Sequence, residues 1–199
     1  MSSGSGQLAR RVEQCLAGAE LPETGFRELR AGAIPAAVLI PLMPAEEGCQ
    51  VVFTRRSDAL RDHAGQVSFP GGRREPGETA VQTALREAWE EIGLPPDRVT
   101  VLGRLGAYHT GTGFRVRPVV GWVQPPVAWR PDPGEVAEVF SVPLGFLTDP
   151  ANHDTHQLER QGECLTFHAL TWREHFIWGA TAGMLMQFCN VLTRACEEG

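Results

Sequence analysis

The stretch that decides the fold is Gly72-Arg-Arg-Glu-Pro-Gly-Glu78, followed after seven residues by Arg86-Glu-Ala-Trp-Glu-Glu-Ile-Gly-Leu94. Residues 79–92 have the helical period, with five small or apolar side chains on one face: Ala80, Val81, Ala84, Leu85 and Ala88. Gly93 and the pair Pro95-Pro96 end this helix, since glycine favours the left-handed cap and proline cannot continue a helix. The stretch predicts a glycine-containing loop and a helix that lies closely on a sheet.

Three glutamates share the polar side of this helix. Glu87, Glu90 and Glu91 stand at i, i+3 and i+4, so their side chains are neighbours. Like charges at this spacing destabilise a bare helix by about 0.2–0.5 kcal/mol a pair. A hard cation between them reverses the effect, because Mg²⁺ and Mn²⁺ select carboxylate and carbonyl oxygens. The Gly72 carbonyl is a further candidate ligand. The alternative for a Glu-Glu pair alone is a solvated acidic face bonded to Arg86.

Grouped carboxylates with bound cations suit the hydrolysis of a pyrophosphate. Its cleavage requires that negative charge on the leaving phosphate be neutralised while water attacks the other phosphorus in line. Metal ions that bridge phosphate oxygens and activate the water supply both effects. The grouped glutamates are thus compatible with a metal-dependent pyrophosphate hydrolase, although the residue spacing alone leaves the solvated acidic face open.

The same segment resembles the Nudix box at each of its fixed positions: Gly, five residues, Glu, seven residues, Arg-Glu, an apolar residue, any residue, Glu-Glu, any residue, Gly and an apolar residue. The resemblance implies an α/β fold, a Nudix-type α/β/α sandwich with a mixed sheet and a catalytic loop–helix–loop. It also implies site residues. Metal would be bound by Glu87, Glu90, Glu91 and the Gly72 carbonyl, with Glu78 and Arg86 orienting the carboxylates. One glutamate is a candidate general base, and Glu135 and Glu138 are candidates for an additional base or ligand.

A second resemblance concerns the substrate. Thr54-Arg-Arg-Ser57, Arg61, Gly65 and Phe69-Pro-Gly-Gly72 are similar to the motif of the coenzyme A pyrophosphatase branch of the Nudix family. Residues 113–121, 138–144 and 177–182 are similar to that branch as well, so the likeness spans roughly residues 36–192. It implies cleavage of coenzyme A to 3′,5′-adenosine bisphosphate and 4′-phosphopantetheine. Gly183 departs from the pattern, which has a larger residue there.

Arginines cluster around the box in the sequence, and their guanidinium forks suit phosphate oxygens: Arg55, Arg56, Arg61, Arg73, Arg74, Arg115 and Arg117. The predicted substrate contacts are Arg61, which is the foremost candidate, and Arg55, Arg56, His63 and Arg73. The alternatives are a Nudix pyrophosphatase for ADP-ribose, NADH or another nucleoside diphosphate derivative, and a non-catalytic domain that senses a nucleotide. An intact box argues against the sensor.

The rest of the chain supplies strands and flanking helices. Residues 7–19 predict an amphipathic helix, and strands are expected at 36–42, 50–55, 99–108, 116–123 and 136–142. A hairpin is expected over 156–160 and 164–171, and a last helix over 178–196. We expect residues 1–30 to form a tail with its helix, and residues 31–196 to form the Nudix domain.

Composition narrows the partners. The 199 residues carry a formal net charge of −6, which disfavours binding to nucleic acid but not to a nucleotide. The five cysteines contain no Cys-x-x-Cys pair, and the first residues do not have the pattern of a signal peptide. We expect a cytoplasmic protein with a small-molecule nucleotide substrate, Mg²⁺ or Mn²⁺ as cofactor, and no membrane partner; a homodimer is left open.

Overall fold

The computed structural model describes residues 3–18, 21–26, 32–46, 48–60, 63–160 and 163–197. Its four helices are α1 (Ser3–Gly18), α2 (Ala80–Ile92), α3 (Leu144–Thr148) and α4 (Gly179–Glu197). Its strands are β1 (Thr24–Gly25), β2 (Ile34–Ala45), β3 (Gly48–Arg56), β4 (Val67–Ser68), β5 (Gly71–Arg73), β6 (Val99–Arg104), β7 (Tyr108–His109), β8 (Phe114–Val123), β9 (Val136–Pro143), β10 (Asp154–Arg160), β11 (Glu163–Trp172) and β12 (His175–Trp178).

A nine-stranded mixed sheet is built around β2. This strand pairs in parallel with β8, from Ile34 opposite Phe114 to Leu42 opposite Trp122. It pairs antiparallel with β3 and with β5. Both faces of β2 are covered, which explains its nearly continuous apolar sequence. The remaining strands extend the sheet on both sides, with β6 on β8 and β9 on β3.

Helices cover the two faces of this sheet. On one face α2 places Ala84 and Ala88, both fully buried, against Ala37 and Leu39 of β2. On the other face α1 and α4 pack into a larger apolar core, to which α4 contributes Phe188. The sequence prediction of an α/β fold, an α/β/α sandwich with a mixed sheet, is confirmed.

A separate three-stranded sheet contains the predicted hairpin. β10 and β11 pair antiparallel from Asp154 opposite Ala169 to Arg160 opposite Glu163, and β12 continues the sheet on β11. The predicted turn, Gln161-Gly162, lies outside the described residues. β12 leads directly into α4, so this small sheet is joined to the helix that covers the main one.

The structure departs from the sequence prediction at several element boundaries. α1 begins at Ser3 instead of residue 7. The strand expected over 99–108 is divided, because β6 ends at Arg104 and a separate short strand, β7, begins at Tyr108. β4 and β5 lie within segments read as loop, since strands of two or three residues are too short to show a period of two.

Gly183 has a packing reason. A Cβ atom placed on it would lie 2.4–2.6 Å from the ring of Tyr108, so the tyrosine occupies the space that a larger residue would need. The departure of this position from the family pattern is therefore matched by a bulky neighbour on β7.

In the part of the chain that the structure describes, no helix is both long and apolar enough to cross a membrane.

Candidate active site

Helix α2 is held by defined caps at both ends. Thr79 and Gln82 form a capping box at the start, and Gly93 takes the left-handed conformation at the end, as the sequence predicts. The small side chains of Ala84 and Ala88 on the buried face of the helix, with Ala37 of β2 opposite, let its backbone lie close to the sheet. The carboxylates on its flank are thereby brought next to β5 and its two glycines.

Arg86 holds three of the predicted carboxylates. Its Nε donates to Glu78 Oε1 at 2.7 Å, and its Nη1 donates to Glu87 Oε1 at 3.0 Å and Glu90 Oε2 at 2.8 Å. Its Nη2 also donates to the Arg73 carbonyl at 3.2 Å, which ties the helix to β5. The hydrogen bond from Arg86 is the main reason that the pKa of Glu78 falls to about 2. Glu78 therefore remains a carboxylate, and Arg86 orients the group.

Glu91 is the buried carboxylate of the site. Its residue is only 5% exposed, and its Oε2 accepts a hydrogen bond of 3.2 Å from the Gly71 N–H. Burial raises its pKa to about 8, and the negative charges of Glu87 and Glu135 contribute to the rise. Burial likewise raises the pKa of Glu87. Two carboxyl groups are thus placed where a positive charge would stabilise their ionised forms.

Gly72 lies directly against Glu87. A Cβ atom at this position would be 2.5–2.6 Å from the carboxyl carbon and both oxygens of Glu87, so only glycine leaves the carboxylate in place. The oxygens available here are carboxylate and backbone carbonyl oxygens, the donors that Mg²⁺ and Mn²⁺ prefer. The residues present therefore fit a hard divalent cation. Glu90, whose side chain is 54% exposed, lies on the outer flank beside Arg86.

A second group of potential metal ligands lies on β9 and at the start of β12. Among the described residues, Glu138, Glu174 and His175 form the one set of three potential ligands whose donor atoms all lie within 4.8 Å of one another. Glu138 is already paired with Arg55 at 3.5 Å, and the His175 ring is stacked on Phe140. The carboxylates of α2 are spread around Arg86 instead. We favour α2 as the metal site because Glu91 is buried and no cationic side chain among the described residues is hydrogen-bonded to it.

The predicted substrate-binding residues lie in different surroundings in the structure. Arg56 lies near Glu91, whose pKa its charge lowers, and its buried Nε has no hydrogen-bond partner in the described structure. Arg55 bonds to Asp58 at 3.2 Å. Exposed His63 bonds through Nδ1 to Gln66. The Arg73 guanidinium lies 5.4 Å from the centre of the Phe114 ring.

The remaining arginines of the predicted cluster have different outcomes. Arg61, the foremost predicted substrate contact, falls outside the described residues. Arg74, Arg115 and Arg117 line a different cavity together with Arg104, which the sequence reasoning missed. Arg104 is a single arginine at the end of a strand, so no local pattern marks it. Glu174 and His175 were missed for a similar reason, since they approach Glu138 only in the folded chain.

Comparison with known proteins identifies the family of this fold. The family model for the NUDIX domain matches residues 33–161. The uncharacterized Nudix hydrolase NudL of Photorhabdus laumondii is 38% identical over 78% of this chain and 83% of its own length. The protein of the same name from Yersinia enterocolitica is 35% identical over 92% of this chain and 94% of its own. A crystal structure of a MutT/nudix family protein from Enterococcus faecalis superposes with a TM-score of 0.55, at 13% identity, over 98% of this chain and 76% of that one.

The fold and the family match together define a Nudix domain. With relatives of this identity aligned over most of its length, the chain belongs to the Nudix hydrolase family.

The first prediction concerns Gly72. Replacing Gly72 by alanine should weaken Mn²⁺ binding about 10- to 100-fold, because the new Cβ displaces the Glu87 carboxylate. Isothermal titration with Mn²⁺ measures the change. Gly145→Ala is the matched control, since a Cβ there has no neighbour within 4 Å. Equal Mn²⁺ affinity in both variants would show that the Gly72–Glu87 contact has no part in the metal site.

The second prediction concerns Glu91 and pH. Its folded pKa of about 8 lies above its ordinary value of 4.5, so the folded state holds the proton more tightly than the unfolded state. In metal-free protein this contribution to stability is complete below about pH 4.5 and is lost as the pH rises through about 8. The slope from this group is at most about 1.4 kcal/mol per pH unit.

Urea unfolding at pH 5.5, 7 and 8.5, with chelator present, measures this slope. Glu91→Gln should flatten it, whereas Glu90→Gln, at an exposed position, should leave it unchanged. Saturating Mg²⁺ should raise the free energy of unfolding most at pH 8.5, where the Glu91 carboxyl group is most readily ionised and can bind the cation. An identical slope in the wild type and in Glu91→Gln would contradict the assignment of the buried charge.

Proposed function

We propose that the protein hydrolyses the pyrophosphate bond of coenzyme A or its derivatives and releases 3′,5′-adenosine bisphosphate and 4′-phosphopantetheine. The observation that carries the hydrolytic part is the buried Glu91 carboxylate beside Glu87 and the Gly71-Gly72 backbone. The resemblance of residues 54–72 to the coenzyme A pyrophosphatase motif supports the choice of substrate.

In this proposal Glu87, Glu90, Glu91 and the Gly72 carbonyl hold Mg²⁺ or Mn²⁺. A cation held there would supply positive charge for the pyrophosphate oxygens and would increase the acidity of the attacking water. Arg86 fixes Glu87 and Glu90 through one guanidinium, while Glu78 fixes Arg86 from the other side. A displacement of one carboxylate would therefore disturb the others, and the group acts as a unit.

The remaining residues receive roles from their positions. Arg56 lies near Glu91, and its buried Nε has no hydrogen-bond partner among the described residues. Its guanidinium is therefore suited to donate to a phosphate oxygen. Glu135 is exposed, and its charge acts on both Glu87 and Glu91, so it is the candidate acceptor for the proton of the water. The water oxygen forms a bond to one phosphorus as the bond from that phosphorus to the bridging oxygen breaks. The bridging oxygen leaves with the other phosphate.

The third prediction tests the reaction and the substrate together. Coenzyme A, ADP-ribose and NADH are each incubated with the protein in Mg²⁺, in Mn²⁺ and in chelator, and the products are identified by mass spectrometry. We expect metal-dependent formation of 3′,5′-adenosine bisphosphate from coenzyme A. Glu87→Gln should lower the rate by about 10²–10⁴-fold, as expected for loss of a group that organises the metal.

Glu46→Gln is the matched control, since Glu46 is exposed in the turn after β2 and should keep full activity. Cleavage of ADP-ribose or NADH with intact coenzyme A would leave the Nudix chemistry in place and overturn the substrate. Full activity in Glu87→Gln would overturn the metal site. If none of the three compounds is cut, the nucleotide-sensing alternative replaces the enzyme.

A further inference from the structure

The cavity lined by Arg74, Arg104, Arg115 and Arg117, here called the second cavity to distinguish it from the candidate metal site, lies at the amino-terminal end of α2. It has a volume of about 500 Å³, and Thr79 and Ala80 at the start of the helix contribute to its wall. Its described lining includes Glu78 but none of the three glutamates proposed to bind metal. Ala80 precedes Glu87 by seven residues, which corresponds to roughly 10 Å along a helix axis. The cavity is therefore separate from the candidate metal site, although the same helix borders both.

Four arginines line this cavity, and they come from three parts of the chain: Arg74 after β5, Arg104 at the end of β6, and Arg115 and Arg117 on β8. The two β8 residues are two positions apart and so share one face of the sheet. The lining carboxylate, Glu78, is already bonded to Arg86. This concentration of positive charge stands against a net charge of −6 for the whole chain.

Among the described residues, three of these four arginines have no carboxylate partner. Arg74 donates to the Glu78 carbonyl at 2.6 Å, and Arg117 donates to the Leu105 carbonyl at 3.0 Å; both acceptors are neutral. Arg115 is paired with Glu23. Within the described residues Arg104 has neither an ion pair nor a side-chain hydrogen bond. Burial lowers the pKa of Arg117, and the charges of Arg115 and Arg104 lower it further while that of Glu23 raises it, in keeping with the shared lining of the cavity.

We propose that this cavity binds the phosphate group of a phosphomonoester. A phosphomonoester carries close to two negative charges and three acceptor oxygens at neutral pH, so it accepts from several guanidinium groups at once. The positive end of the α2 dipole adds to the attraction. The volume exceeds that of a lone phosphate and falls in the range of sites for small organic ligands, so the phosphate is carried on an organic group.

Two sources supply the same chemistry. One is a terminal phosphate of the substrate itself, and the other is a separate phosphorylated small molecule. Binding to the metal-free protein tests the cavity without reference to hydrolysis, and kinetics then separate the two sources.

The fourth prediction is tested by isothermal titration of the full chain with 3′,5′-adenosine bisphosphate and with inorganic phosphate, in the presence of chelator. Arg104→Gln should weaken binding about tenfold, the loss expected for one charge-assisted hydrogen bond. Arg98→Gln is the matched control, because it removes an equal charge from an exposed residue near the other end of β6 and outside the cavity. Absence of binding in the wild type, or equal weakening in both variants, would overturn the proposal.

The kinetic arm rests on the proposed function and compares coenzyme A with dephospho-coenzyme A, which lacks the 3′-phosphate. If the phosphate belongs to the substrate, Arg104→Gln raises KM for coenzyme A alone and leaves kcat unchanged. An unchanged KM for both compounds, together with weakened binding under chelator, assigns the cavity to a separate phosphorylated molecule. If neither compound is cut, the proposed function fails while the binding measurement still decides the cavity.

Discussion

The hydrogen bond between the Gly71 N–H and the Glu91 carboxylate is the contact on which the candidate site depends. It joins a helix to a strand through a carboxylate that is almost completely removed from water. A buried charge of this kind is costly unless a cation or several hydrogen bonds stabilise it. In the metal-free protein burial raises the pKa of Glu91 to about 8, so this carboxyl group is largely protonated at neutral pH. Gly72, together with Ala84 and Ala88 of α2, leaves room for Glu87 and Glu91 next to β5. Small residues at these points position the carboxylates that the proposed chemistry needs.

Arg86 supplies a positive charge to the carboxylates on the exposed flank of α2. It bonds to carboxylates of three glutamates and to the backbone of β5, so its single positive charge offsets only part of the negative charge on this flank of the helix. Near the amino-terminal end of the same helix, arginines from other parts of the chain line the second cavity with positive charge. The chain thereby presents a site suited to cations and a site suited to anions along one helix. A ligand with several phosphates is the kind of molecule that uses both.

Residues 72–94 allowed the helix, its end at Gly93 and its close packing on a sheet to be predicted, because helical period, small-residue spacing and charge spacing are local properties of the sequence. The sandwich itself was expected from the strands along the chain and from the resemblance to the Nudix family. Residues 156–171 likewise indicated a hairpin. The short strands β4, β5 and β7 escaped prediction, since two or three residues carry no readable period. Their pairing is decided by partners distant in the sequence, such as Gly71–Arg73 against β2.

The distribution of the arginines could not be read from the sequence for the same physical reason. Arg56 and Arg74 are 18 positions apart and were considered together, yet the fold places them in different sites. Arg104 lines the second cavity because the pairing of β6 with β8 places it there. Glu135 approaches Glu87 and Glu91 because β9 lies beside β3. Charges that act through space are assigned by strand order, which local patterns do not specify.

The central claim is that the carboxylates of α2, with the Gly72 carbonyl, bind the catalytic cation. A crystal of the protein soaked in Mn²⁺ tests it directly through the anomalous scattering of the metal. We predict a peak at the distance of a metal–oxygen bond, about 2.0–2.2 Å, from the Glu87 and Glu91 carboxylates. A peak found only at Glu138, Glu174 and His175, or no peak at either group, would contradict the account.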